Sequence, residues 1–417
     1  MRNVIIASLM LALLLGLRFY FFSQSQHVYN DREHVKFTTI LQEEPEFVLG
    51  KQQFRVKTPD GARVRIVTST ASFYTYGDRL FIDGVFTKKE FQGHPYLVIY
   101  FPKIQMATKD GNLFTESALF LIKRAKTIFS GSLSPTAESL LLGMIFGGNQ
   151  GMEDAFLQKL RTTGVLHVIA ASGANVSFVA GALLAILGKL LRRQLALVIG
   201  IGGIIFYAFL AGFDPPVTRA AIMACFAFGA SLLGRQNLAL LSLWLTGYVM
   251  MMVTPSLLFD VGFQLSFFST LGILVVKSIL GLLGGFRRLG FLREDVLTTL
   301  AAQIATLPIM LTTFGSYGLL SVLVNALVLW TIPIVMVFGS IALLAGLVFF
   351  PLGKVIVLLC LPFLWFFEQM VDFFGKLGGV VAVSSFPLSL SIGYYLLLLA
   401  VVLIVQQRKK EKEEKGI

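Results

Sequence analysis

Between residues 164 and 405 apolar runs follow one another, and Arg or Lys marks alternate intervals: Arg192-Arg193, Arg235, Arg287-Arg288 with Arg293, Lys354 and Arg408-Lys409-Lys410. About 20 apolar residues in a helix cross the hydrocarbon of a bilayer, and Lys and Arg collect in the cytoplasmic intervals. The pattern therefore dictates a polytopic α-helical membrane protein and excludes a water-soluble globule. Charged residues are only 14% of the chain and the mean hydropathy is +0.78, as that class requires. Residues 4–22 form a further apolar run led by Arg2, so about ten transmembrane helices are expected, with both termini cytoplasmic. Residues 319–350 fit worst. At 1.5 Å per residue they extend about 46 Å, too long for one span and too short for two, and Asn325 and Pro333 are candidate break points.

Residues 1–23 read as an N-terminal anchor rather than a cleaved signal, because no small-x-small pattern precedes Gln24. Residues 27–112 are polar and alternate, with turn signals at Pro59-Asp60-Gly61, Tyr76-Gly77-Asp78 and Lys109-Asp110-Gly111. They predict an extracytoplasmic all-β, OB-like barrel of five or six strands. Residues 113–163 predict amphipathic interfacial helices, with Lys123, Arg124 and Lys126 against Leu119, Phe120 and Ile122. Residues 164–407 are the multi-helix core and 408–417 a charged cytoplasmic tail.

The formal charge is +12. Part of it sets topology, but the barrel also carries Lys51, Arg55, Lys57, Arg63, Arg65, Lys88 and Lys89 beside Tyr74 and Tyr76. Cations neutralise a phosphate backbone while aromatic faces stack its bases, so these residues are candidates for binding single-stranded nucleic acid. A solvated strand face over core aromatics has the same composition.

Within the core, polar residues are costly and must face a packed interior or a wet cavity. His167, Ser172, Gly173, Asn175, Arg219, Asp260, Gln264, Ser266 and Gln303 are the candidates for lining a pathway. Asp260 and Gln264 are four apart and share a helix face. Arg219 could pair with Asp214 or Asp260. Interhelical hydrogen bonding would place the same amides and hydroxyls equally well. Catalysis has little support: His167 lies five residues from Ser172, off its helical face, and one histidine with scattered carboxylates makes no metal site. No phosphate-cradling Gly-x-x-x-x-Gly-Lys sequence is present, so neither a cofactor nor nucleotide hydrolysis is expected. A carrier for a small polar or anionic solute and a membrane hydrolase using Ser172 are the rival functions.

The stretches Leu166-His167-Val168-Ile169-Ala170-Ala171-Ser172-Gly173-Ala174-Asn175-Val176, Asp214-Pro215-Pro216-Val217-Thr218-Arg219-Ala220 and Pro255-Ser256-Leu257-Leu258-Phe259-Asp260-Val261-Gly262-Phe263-Gln264-Leu265-Ser266-Phe267 resemble the ComEC competence family, in that family's order. The resemblance covers roughly residues 27–407. It implies a non-enzymatic channel in the bacterial cytoplasmic (inner) membrane that passes single-stranded transforming DNA inward. It also implies partners: a separate DNA receptor, a nuclease and a cytoplasmic ATP-driven motor. His167, Ser172, Gly173, Arg219, Asp260, Gln264 and Ser266 match motif positions. Asn175 stands where the family commonly has a second histidine. No His-x-His-x-Asp cluster is present, so removal of the other strand is expected to fall to another protein.

Overall fold

In the computed structural model the described residues are 2–25, 29–41, 45–48, 50–59, 62–69, 74, 78–91, 94–106, 113–148, 151–169, 172–282, 290, 293–383 and 386–414. They form two compact units, Met1–Ala125 and Lys126–Ile417.

The first unit holds helix α1 (Arg2–Ser25) and a small β domain of β1 (His34–Ile40), β2 (Glu46–Val48), β3 (Lys51–Lys57), β4 (Arg63–Ser69), β5 (Arg79–Phe91), β6 (His94–Tyr100) and β7 (Lys103–Met106), followed by α2 (Leu113–Phe129). The strands join in one 7-stranded sheet of order β1-β5-β6-β4-β3-β2, with β7 on β5. Two strands more than the smaller expected count are present because β2 and β7 have 3 and 4 residues, too few to show an alternation. Long β5 serves three partners: Arg79–Val85 pairs with β1, Leu80–Asp83 with β7, and residues 86–91 with β6. β4 and β6 run parallel, whereas the other described pairs of this sheet are antiparallel. Alternate residues turn inward, so Phe54, Val56, Val64, Ile66, Leu80, Ile82, Phe86 and Ile99 make one buried core.

The second unit is helical: α3 (Pro135–Phe146), α4 (Asp154–Thr162), α5 (Gly173–Leu190), α6 (Arg193–Leu210), α7 (Pro215–Leu232), α8 (Ala239–Val253), α9 (Val261–Leu280), α10 (Arg293–Phe314), α11 (Ser321–Val328), α12 (Thr331–Val348), α13 (Phe350–Val357), α14 (Leu361–Leu377) and α15 (Leu388–Glu414), with β8 (Ser316–Gly318) pairing β9 (Val380–Ala382). Among the described residues 8 helical stretches are long and apolar enough to cross a bilayer. The chain is a multi-pass membrane protein. The expected ten adds α1, which has 24 residues, and α8, whose 15 residues fall short of that length. Gly272 lets α9 and α10 touch: a β-carbon there would lie 2.5 Å from both the Ala301 carbonyl oxygen and the Ala305 β-carbon.

Prolines punctuate this unit by one rule. A proline lacks the N–H that residue i−4 would accept from, and its ring crowds that carbonyl. Pro333 stands four after Leu329, and the 319–350 run breaks there into α11 and α12, with Ile332 N–H closing a tighter turn on the Leu329 carbonyl at 3.2 Å. Pro362 stands four after Leu358, where a 3-10 turn, Leu358–Cys360, interrupts the helical run. Pro308 stands four after Ile304 inside α10, and here a neighbour completes the carbonyl: Tyr394 of α15 donates its hydroxyl to Ile304 O at 2.8 Å, and Tyr395 to Ala305 O at 3.0 Å. α15 packs sparsely otherwise, with 11% of its apolar window buried. Tyr394→Phe is expected to destabilise the helical unit by about 1–2 kcal/mol, since a carbonyl in a low-dielectric interior loses its partner. Pro308→Ala restores the internal donor. In an unfolding double-mutant cycle the Tyr394→Phe cost should then shrink, and equal costs in both backgrounds would sink the account.

Candidate functional site

On the β domain the ladder of β3 and β4 sets Arg55 directly opposite Arg65 and Lys57 opposite Arg63. Alternation places Lys51 on the same face of β3, away from buried Phe54 and Val56. Like charges directly opposed across a ladder repel one another. The side chains of Lys57 and Arg63, and all of Tyr76, lie outside the described residues. Lys89 shares this outer face, and its Nζ sits 5.1 Å from the centre of the Tyr100 ring. Lys51 Nζ is 5.4 Å from the centre of Phe101. Lys88 does not belong to the row: two residues beyond buried Phe86, it falls on the opposite face of β5.

The expected aromatic turns inward. Tyr74 is 8% exposed and packs edge-on against Phe54 at 5.9 Å, so its ring belongs to the core and offers no face to a base. Tyr100 and Phe101, by contrast, are 41% and 54% exposed. Tyr100 was legible as the outward residue after inward Ile99. Phe101 was not, because its backbone turns to φ 47 where β6 ends.

In the helical unit the pathway candidates divide. Ser172 caps α5: its hydroxyl accepts from Asn175 N–H at 3.4 Å and donates to Asn175 Oδ1 at 2.9 Å. Asn175 is 1% exposed, and its Nδ2 donates to the Met144 carbonyl at 2.9 Å. Tyr207 of α6 donates to the adjacent Ile145 carbonyl at 3.0 Å. These carbonyls lie in the last turn of α3 and have no helical donor of their own, so Asn175 and Tyr207 complete that helix end. Asn175 is buried with its side chain bonded on both sides, and the hydroxyl of Ser172 is engaged by it.

A second group surrounds the turn that follows α4. Gln303 of α10 donates to Ser321 Oγ at 2.9 Å and accepts from the Tyr317 hydroxyl at 2.5 Å, while Ser321 donates to the Gly318 carbonyl at 2.6 Å. Burial pushes the Tyr317 phenol up, so it remains a donor at neutral pH. Gly164 closes over this group, since a β-carbon on it would lie 2.5 Å from the Ser321 β-carbon. His167, which is exposed, donates through Nδ1 to the Gly164 carbonyl at 3.1 Å. His167 therefore neighbours the Gln303 group.

The third group sits on the first turns of α5, α7 and α9, which lie side by side and run the same way because α6 and α8 each return the chain. Arg219 of α7 is 7% exposed. Its Nη1 donates to the Ser266 carbonyl of α9, which also accepts the Ser269 and Thr270 hydroxyls at 3.0 Å each. Gly173 leaves the room this guanidinium occupies, because a β-carbon there would collide with Nη2. No ion pair to Arg219 exists among the described residues, so the pairing expected with Asp214 or Asp260 is not made. Asp260 instead caps α9, accepting from Phe263 N–H at 2.9 Å, and Gln264 reaches back to the Leu258 carbonyl at 2.8 Å. Among the described residues no three His, Cys, Asp or Glu side chains are placed to hold a metal ion.

Residues 144–408, which contain all three groups, match the family described as Competence protein. The chain belongs to the Competence protein family. Across the family's relatives the likeness is partial. ComE operon protein 3 of Bacillus subtilis (strain 168) is 28% identical over 216 residues, which is 51% of this chain and 27% of the relative. Competence protein ComA of Neisseria gonorrhoeae is 29% identical over 227 residues, 50% of this chain and 31% of the relative. An uncharacterized protein of Aquifex aeolicus (strain VF5) is 30% identical over 204 residues, 46% of this chain and 48% of the relative. The match thus spans less than half the length of each of these relatives. No solved structure matches the chain.

Proposed function

We propose that this protein takes up DNA in natural competence, as a channel that passes one strand across the bacterial cytoplasmic membrane with both termini on the cytoplasmic side. The observation that carries this is the cationic row of β3 and β4, Lys51, Arg55 and Arg65, beside the exposed rings of Tyr100 and Phe101, in a chain of the Competence protein family. The β domain, read as OB-like from its single parallel pair in an otherwise antiparallel sheet, captures single-stranded DNA outside. His167, Gly173, Arg219, Asp260, Gln264 and Gln303 are then the residues that touch the strand in passage, offering hydrogen bonds it can exchange without being held. Duplex binding, removal of the other strand and ATP-driven pulling are assigned on this reading to a separate receptor, nuclease and motor. Deleting the gene and following labelled DNA tests the reading. Cytoplasmic uptake should be lost while DNA bound at the cell surface persists, and unchanged uptake would refute it.

A further inference from the structure

We propose that Arg219 and the first turn of α5 form a binding site for a single tetrahedral oxyanion of the phosphate class, an inference that rests on the transport reading only for the source of that anion. The guanidinium is a planar fork with two usable edges. Nη1 is committed to the Ser266 carbonyl, which already accepts the hydroxyls of Ser269 and Thr270. The remaining side-on edge is Nε with Nη2. Nε is buried with no hydrogen-bond partner, and Nη2 lies against Gly173, the first residue of α5. A buried cation that makes no ion pair among the described residues is costly at membrane depth, and that edge has the geometry for two parallel bonds to one oxyanion.

The surroundings suit the same ligand. α5 is an 18-residue helix capped by a neutral Ser172, so its first N–H groups and positive end face the guanidinium without a carboxylate of their own. The first turns of α7 and α9 add two more positive helix ends, tempered by Asp214, exposed at the start of α7, and by Asp260, whose carboxylate accepts from Phe263 N–H. Ala174 and Ser177 are exposed, which leaves an approach along the outer side of α5. Gly173 cannot be larger, since a β-carbon would displace Nη2. A monatomic anion such as chloride offers one acceptor atom to the two N–H groups, whereas an oxyanion matches their parallel bonds with two, so chloride is not the expected ligand.

The test uses the full chain in lipid nanodiscs, titrated with inorganic phosphate at constant ionic strength against a chloride control. A saturable rise in Tm with phosphate and none with chloride is expected. Arg219→Gln should abolish that rise, and Arg219→Lys, a point charge without the fork, should weaken phosphate binding about tenfold. Gly173→Ala keeps the charge but pushes Nη2 off the helix start, and should weaken binding similarly; it decides the matter where Arg219→Gln does not fold. Absence of a saturable phosphate effect, or its persistence in Arg219→Gln, overturns the site. Competition by an oligothymidine identifies a DNA phosphodiester as the occupant, whereas phosphate binding without competition identifies the free anion. Lost DNA uptake in Arg219→Gln with phosphate binding intact would remove the oxyanion site and leave the channel reading standing. Lost phosphate binding with normal uptake would keep the site and remove Arg219 from the transport path.

Discussion

Asn175→Leu is expected to destabilise the helical unit by about 3 kcal/mol or more, the largest effect of any single change at the polar groups of the core. The side chain is 1% exposed and makes its bonds in two directions, to Met144 O and with Ser172 Oγ. Leucine fills the volume but leaves the Met144 carbonyl buried without a partner, at about 1–3 kcal/mol, and takes from the part-buried Ser172 hydroxyl the oxygen it donates to. It also removes half of the cap on α5. Unfolding in mild detergent with graded denaturant, read beside the amount of protein in the membrane, measures this. A residue that merely lined a passage would tolerate leucine in the folded state and fail only in transport. Normal stability with lost uptake would therefore return Asn175 to the passage.

The second large effect concerns the β domain. Replacing Lys51, Arg55, Arg65 and Lys89 together by Ser should reduce oligonucleotide binding by the full chain by about a hundredfold or more near physiological salt. Each phosphate contact on a single strand contributes about 0.7 to the slope of log affinity against log salt, so the slope should shallow by about 2.8. Lys88→Ser serves as the internal contrast, since it sits on the opposite face of β5 and should leave the slope nearly unchanged. Phe101→Ala should weaken binding by about 1–3 kcal/mol without altering the slope, because stacking carries no counterion. If the fourfold variant binds as tightly as the native chain, this face is only a solvated surface.

The two kinds of site differed in how far the residues alone revealed them. Span positions follow from composition, because a bilayer imposes length and apolarity on any helix that crosses it, and the basic intervals were equally plain. The 319–350 run resisted because its interruption depends on the carbonyl four residues before Pro333, a detail of backbone bonding rather than of hydropathy. The cationic strands were visible, but composition cannot say which face a residue takes: Lys88 fell on the wrong side and Tyr74 went inward to meet Phe54. Among the core residues, Ser172-Gly173-Ala174-Asn175 has the spacing of a helix cap, and the structure makes that cap. Arg219 was expected to meet a carboxylate, yet Asp260 is taken by its own helix start. Nothing in one sequence shows that the third helix in space supplies a carbonyl instead, because the contact between Arg219 and Ser266 exists only once α7 and α9 are packed.

α8 is a 15-residue helix, about 22 Å long, whereas α9 and α10 have 20 and 22 residues. Its outward residues Trp244, Val249 and Val253 are exposed rather than packed against protein. A hydrophobic belt that short cannot match a hydrocarbon layer of about 30 Å, and the cheaper adjustment is for the lipid to yield, so the bilayer thins beside α8. Thinning draws the headgroups and their water down toward the turn that joins α8 to α9, where Asp260 stands. On the transport reading proposed above, a polyanion arriving there has less hydrocarbon left to cross.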